Sequence, residues 1–210
     1  MSKTAALSHE YELLAQGYRL IAGIDEAGRG AWAGPVVAGA VCLPLDRDDL
    51  AQALDGVYDS KQLSARAREG LVSRIEATAT AWGIGRAEAA EIDALGIVPA
   101  TCLAMQRALD AVCQVLTPDF LLLDSIRWKN LTMPHRALIR GDNLSLSIAA
   151  ASVLAKVQRD RWMVEYDVLY PQYGFAVHKG YGVPKHAGAL REYGACAIHR
   201  MSFAPMRVSP

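Results

Sequence analysis

Leu20-Ile21-Ala22-Gly23-Ile24-Asp25-Glu26-Ala27-Gly28-Arg29-Gly30 runs from an uncharged apolar stretch through two adjacent acids into a glycine-rich turn. Residues 20–24 read as a strand, and residues 36–43, beyond Pro35, as a second, so the two form a hairpin. The acids therefore stand where a strand gives way to a turn. They suit either of two roles there: caps on neighbouring amides, or ligands. Successive side chains leave a strand on opposite faces, so both carboxylates reach one ion only if the chain bends. Gly28 and Gly30 permit such a bend.

Outward from this turn, Leu71, Ile75 and Ala79 repeat every fourth residue after Ser64, predicting a capped helix with Arg66 and Arg68 exposed. Residues 82–87 read as a third strand. Leu103, Ala104, Ala108, Val112 and Val115 form a helical stripe from Pro99 to Leu116, with Pro118 as a stop. Phe120-Leu121-Leu122-Leu123 is continuously apolar, as in a strand covered on both faces. Leu138-Ile139 suggests a further short strand. Leu146, Ala150, Val153 and Val157 then mark a long helix reaching towards Tyr170, and residues 184–193 a last short one. Hairpin strands followed by strands alternating with helices predict an α/β fold: a mixed sheet with helices packed on it, and a helical, loop-rich C-terminal region.

Asp124 ends the apolar strand, where an unpaired ionised carboxylate is costly to bury and needs a cation or a donor. Asp142, just before the long helix, suits either an N-cap or a ligand. Asp25, Glu26, Asp124 and Asp142 are oxygen donors at element ends without clustered Cys or His, a set matching hard divalent ions such as Mg²⁺ or Mn²⁺. Asp160 competes for the fourth place. On an unbroken helix it would lie about 27 Å from Asp142, so the two exclude each other, and Asp160 reads as a local charge held by Lys156, Arg159 or Arg161.

The 210 residues are 52% hydrophobic and 21% charged, which excludes disorder and predicts a soluble globular protein. The uncharged stretch 31–45 is too short, and too rich in proline, to span a bilayer. Residues 1–16, with Lys3, His9, Glu10 and Glu12, lack the apolar block of a secretory signal, so a cytoplasmic location is expected. Cys42, Cys102, Cys113 and Cys196 show no metal-type spacing and are expected to be buried, reduced thiols. The net charge of zero conceals a division. Residues 1–123 carry 10 Lys/Arg against 16 Asp/Glu, residues 124–210 carry 12 against 6, and four of the five histidines lie in the second part. A basic C-terminal part fits a polyanion as well as it fits a solvated surface.

Residues 23–30, followed by Ala33-Gly34-Pro35-Val36-Val37, resemble the N-terminal signature of bacterial ribonuclease HII, the type 2 ribonuclease H family. Further blocks agree, in order: Asp59-Ser60-Lys61-Gln62-Leu63-Ser64, Leu122-Leu123-Asp124, residues 141–152 and 155–161, and Tyr173-Gly174-Phe175 through His178-Lys179-Gly180-Tyr181-Gly182. The resemblance spans residues 21–207. It implies a single RNase H-like domain over residues 1–210, with residues from about 165 onward as a basic appendage. It also implies a Mg²⁺- or Mn²⁺-dependent monomer cutting the RNA strand of RNA/DNA hybrids, and single ribonucleotides embedded in duplex DNA, in ribonucleotide excision repair. Asp25, Glu26, Asp124 and Asp142 become the metal-binding catalytic acids. Gly28, Arg29 and Gly30 approach the ribose 2′-hydroxyl and its phosphate, and Tyr181 stacks near the RNA-to-DNA junction.

Ser60, Lys61, Lys179 and Arg29 are candidate phosphate contacts, although Lys61 and Lys179 can also be read as solvated charges and Tyr181 as a structural ring. His178 and His186 have no assigned role. Ala31-Trp32, Ser125 and Val183 depart from the Pro-Leu, Gly and Thr usual in the family. Recruitment by a replication clamp is not legible in the sequence. Two rivals remain: a binding module without catalysis, and a phosphate-binding loop. The second fails because Arg29 and Gly30 stand where such a loop needs Lys and Ser/Thr.

Overall fold

A computed structural model describes residues 4–129 and 131–207. The reading of residues 1–16 as lacking a secretory signal thus falls partly outside the described residues. A helix α1 (Ser8–Ala15) precedes strands β1 (Ile21–Ala27) and β2 (Val36–Cys42). A short helix α2 (Leu50–Ala53) and α3 (Ala65–Thr78) lead to β3 (Ala81–Ala87); α4 (Ala89–Leu95) and α5 (Ile97–Cys113) lead to β4 (Phe120–Asp124) and β5 (His135–Leu138). The chain closes with α6 (Gly141–Leu144), α7 (Leu146–Leu169), α8 (Phe175–His178), α9 (Pro184–Tyr193) and α10 (Ala204–Arg207).

The five strands form one sheet in the order β3-β2-β1-β4-β5. β1 pairs antiparallel with β2 and parallel with β4, so the predicted mixed sheet is present. Its two faces carry separate cores. Ile21, Val41 and Leu122 pack with α7 residues such as Ile148 and Ala151 on one face. Ala22, Ile24, Leu121 and Leu123 pack with α5 residues such as Ala104 and Ala108 on the other. At Gly23 the first turn of α7 comes so close that a Cβ would overlap the backbone of Ser147 and Ile148. That approach brings the start of α7 down onto the strand that carries Asp25.

Local chemistry sets the helix starts. Ser64 Oγ accepts from Ala67 N at 3.2 Å, as its N-cap reading requires. The cap of α7 is Ser145, not Asp142: Ser145 Oγ accepts from Ile148 N. Helix α1 was not expected, because its eight residues lack a strong apolar stripe. It matters nonetheless. The fully buried Glu10 accepts through Oε1 from Ser145 Oγ (2.6 Å), Ser147 Oγ (2.7 Å) and Ser147 N (3.0 Å), tying α1 to the start of α7.

Other expectations need correction. Helix α5 starts two residues before Pro99, which fits within a first turn that needs no amide donor. The strand near Leu138 ends there, and Ile139 is 82% exposed. Arg68 is half-buried instead of exposed, because it donates to the Ser60 and Leu63 carbonyls. All four thiols are free, but only Cys42 is buried; Cys113 is exposed.

The C-terminal segment builds a third cluster around Tyr173, Phe175, Met163 and Ala33. His178, His186 and His199 are buried in it, with the His178 and His186 rings stacked at 4.6 Å. His186 Nδ1 donates to the Tyr181 carbonyl, so its Nε2 accepts from His199 Nε2 at 3.0 Å, while His199 Nδ1 accepts from Cys196 N. This chain of bonds needs neutral rings. Burial, reinforced by neighbouring His186, pushes His199 down to about 4 from the usual 6.5. An unfolded chain therefore binds a proton near pH 6.5 that the folded chain refuses until about pH 4, so stability falls as the pH drops through this window. Between pH 7.5 and 5 the loss is about 2 kcal/mol. Urea unfolding at both pH values checks this, and His199→Gln is expected to lose measurably less than the unaltered chain.

Candidate active site

β1 and β4 are in parallel register with Ile24 beside Leu123, so the next residues, Asp25 and Asp124, end up side by side. Both belong to the pleat parity that faces α7. Asp142 joins them from α6, which Asp124 anchors by accepting from Gly141 N through Oδ1 at 2.7 Å. The three carboxylates each offer an oxygen within 4.8 Å of the others. Glu26 points to the other face of β1, and its Oε1 accepts from Arg29 Nη1 at 3.0 Å. The chain does not bend between the two acids, since β1 runs on to Ala27. Three of the predicted acids thus converge, while Glu26 borders the same cleft from its other side.

Electrostatics mark the cluster. Burial, then repulsion from Glu26 and Asp124, holds the Asp25 carboxyl well above the usual carboxylate range. Burial also raises Glu26 against the opposing pull of Arg29, and raises Asp142 despite Asn143 Nδ2 at 2.8 Å. Asp25 Oδ2 and Glu26 Oε2 are buried without a hydrogen-bond partner. Lys61 stands over the group, its Nζ 3.5 Å from Asp142 Oδ2. Burial opposes its charge, yet Asp25, Asp142, Asp59 and Asp124 together hold it above its ordinary value.

The cleft, about 320 Å³, is walled by Gly28, Arg29, Gly30, Ser60, Lys61, Lys156 and Tyr181 beside Asp25, Glu26 and Asp124. A family profile, Ribonuclease HII, matches residues 22–206. The chain belongs to the ribonuclease HII family. These proteins are RNase H type 2 endoribonucleases. The chain is 53% identical over 201 residues to ribonuclease HII of Chloroflexus aggregans, covering 95% of this chain and 93% of that one. It is 53% identical over 201 residues to that of Geobacillus kaustophilus, covering 96% and 74%. Among solved structures, ribonuclease H2 from Pyrococcus horikoshii superposes with a TM-score of 0.75 at 25% identity, over 90% of this chain and 95% of that one. The ribonuclease HII of a complex with PCNA from Archaeoglobus fulgidus gives 0.71 at 25% identity, over 88% and 95%.

Against the ribonuclease HII pattern, the remaining predicted residues fall as follows. Ser60 is buried, its Oγ 2.9 Å from Ser152 Oγ. Tyr181 is 36% exposed, with Lys156 Nζ 5.9 Å from its ring centroid. Lys179 does not line the acid cleft; its Nζ donates to the Ala176 carbonyl, and it borders a neighbouring hollow with Arg68 and Asp160. Asp160 pairs with Lys156 at 2.6 Å and Arg68 at 3.6 Å, whereas Arg159 and Arg161 bond elsewhere. Lys156, in sequence only a partner for Asp160, also reaches the cleft wall because α7 packs against β1, a long-range contact with no signal in the spacing.

The departures from the family pattern also find physical explanations. Ser125 adopts φ 46°, the conformation a glycine takes freely, and its Oγ offsets the strain by bonding Asp124 Oδ1 and the Leu138 carbonyl. The Trp32 ring packs directly on Gly182, where a Cβ would collide with it. Val183 sits at the N-cap of α9 with no oxygen to offer, and Pro184 at the first helical position lightens that loss by removing one donor.

Proposed function

We propose that this chain is a divalent-metal-dependent endoribonuclease that cuts the RNA strand of RNA/DNA hybrids and single ribonucleotides embedded in duplex DNA, leaving 5′-phosphate and 3′-hydroxyl ends. The observation that carries this reading is the convergence of Asp25, Asp124 and Asp142. Buried carboxylates that repel one another, two with unpartnered oxygens, fit cations that neutralise them. Their all-oxygen donor set fits Mg²⁺ or Mn²⁺. Asp25, Asp124 and Asp142 would hold one metal ion, and Glu26, bordering the cleft from the other side of β1, would offer its unpartnered Oε2 to a second. Bound there, a pair of such ions would supply Lewis-acid stabilisation to a phosphodiester displacement.

The chain's own groups divide the remaining work. Lys61 and Arg29 present cations to the phosphates flanking the scissile bond. Gly28 and Gly30 let the backbone come within reach of a 2′-hydroxyl, the group that distinguishes RNA from DNA. Tyr181 offers a ring face to a sugar or base at the far wall. Ser60, held by Ser152, supports the floor beside Asp25. The enzyme is expected to act as a cytoplasmic monomer in ribonucleotide excision repair; no helix among the described residues is long and apolar enough to cross a membrane.

A labelled duplex bearing one ribonucleotide, and its all-DNA counterpart, incubated with Mg²⁺, Mn²⁺ or chelator, tests the reading. Cutting at the ribonucleotide, only with metal and with a 5′-phosphate product, is expected. An intact strand under every condition would overturn it.

A further inference from the structure

The glycine-rich turn rests on two buried guanidiniums that have no carboxylate partner among the described residues. Arg159 donates to the carbonyls of Ala33, Pro35 and Lys179 at 2.9–3.1 Å. Arg200, fully buried, donates through Nη2 to Gly28 O (2.7 Å), through Nη1 to Arg29 O (2.8 Å) and through Nε to Gly34 O (3.0 Å). Burying an unpaired cation is expensive, and an apolar side chain would fill the same space without that cost. What the planar fork supplies is direction for three carbonyls at once.

The direction has a consequence for the cleft. All peptide bonds here are trans, so each N–H points opposite to the carbonyl of the preceding residue. With the Gly28 and Arg29 carbonyls drawn to Arg200, the amides of Arg29 and Gly30 face away from it. Neither amide donates to a protein acceptor among the described residues, and both residues line the acid cleft. The turn therefore presents two adjacent, unused donors beside the carboxylates.

We infer that Arg200 is a positioning residue for ribose recognition: by holding the Gly28 and Arg29 carbonyls it aims the Arg29 and Gly30 amides at the substrate 2′-hydroxyl. Preference for a ribonucleotide then depends on a side chain that never touches the nucleic acid. The inference rests on the function proposed above.

Equilibrium binding in Ca²⁺ of a one-ribonucleotide duplex and the matching all-DNA duplex separates the two ideas. In Arg200→Gln the ratio of the two affinities is expected to fall about tenfold, the worth of one such hydrogen bond, with all-DNA affinity unchanged within twofold. Arg200→Lys, which keeps the charge but not the fork, is expected to fall between. Equal loss on both duplexes, or an unchanged ratio, overturns the role of Arg200 while leaving the nuclease reading intact. An unaltered chain that shows no preference for the ribonucleotide, and does not cut it, sinks both.

Amide exchange on the unaltered chain needs no variant to fold. The Arg29 and Gly30 amides are expected to exchange freely in the free protein and to slow only with the ribonucleotide duplex. Protection in the free protein, or equal protection by both duplexes, overturns the inference.

Discussion

Asp124→Asn is expected to lower the cleavage rate by about 10³-fold or more, since a carboxylate serving a catalytic cation supplies several kcal/mol of transition-state stabilisation. The fold should survive the change. Asn keeps the oxygen that accepts from Gly141 N, so α6 stays anchored. Stability should hold or rise, because Asp124 repels Asp25, Glu26 and Asp142 in the metal-free protein. Hybrid binding should be kept or improve as one negative charge facing phosphates is removed. Single-turnover rates, hybrid affinity and the thermal midpoint, measured together, check all three. A pure binding module on the same fold would show no metal-dependent cutting before or after the substitution, which is how the two readings part.

The second large effect concerns the glycine-rich turn, where two glycines that look alike in sequence should respond differently. Gly28 has φ 91°, and a Cβ there would overlap the Arg159 Nε. Gly28→Ala therefore adds left-handed strain of about 1–2 kcal/mol and displaces a guanidinium from three carbonyls. A stability loss of about 3 kcal/mol or more is expected, with cleavage falling alongside. A Cβ on Gly30 meets nothing within 4 Å. Gly30→Ala should leave the urea midpoint nearly unchanged, yet weaken ribonucleotide cleavage by placing a methyl group where the sugar must approach. Unfolding and cleavage measured on both variants test the contrast, and a large stability loss in Gly30→Ala would contradict it.

The sheet was legible because its strands advertise burial. The apolar run at 120–123 and the hairpin around residues 28–35 are both strong signals, and together they place Asp25 and Asp124 at the ends of neighbouring strands. The pleat argument was also correct in form: without a bend in β1, Glu26 turns away from Asp25 and takes Arg29 instead. The helix expected to run unbroken from Asp142 is interrupted at Ser145, so the 27 Å separation does not apply as stated; Asp160 still lies 14 residues into α7 from Leu146, about 21 Å along the axis, and is held by Lys156 and Arg68. What composition and periodicity could not reveal depends on long-range partners. Glu10 reads as an ordinary surface acid until Ser145 and Ser147 are seen around it. Arg200 reads as part of a basic tail until its fork is found beneath a turn some 170 residues earlier in the chain. Lys179 shows the reverse error, a cation of the right type whose head group is bent back onto its own helix.

The clasp between Glu10 and the start of α7 gives the acid cluster a timetable. β1 finds its parallel neighbour only once residues 120–124 exist, and the segment carrying Asp142 is secured only when Ser145 and Ser147 reach a helix made at the very beginning. Closures that far apart along the chain come late in folding. A polypeptide that has not yet reached residue 147 therefore holds Asp25, Asp124 and Asp142 apart, and the three carboxylates meet only when most of the chain is present.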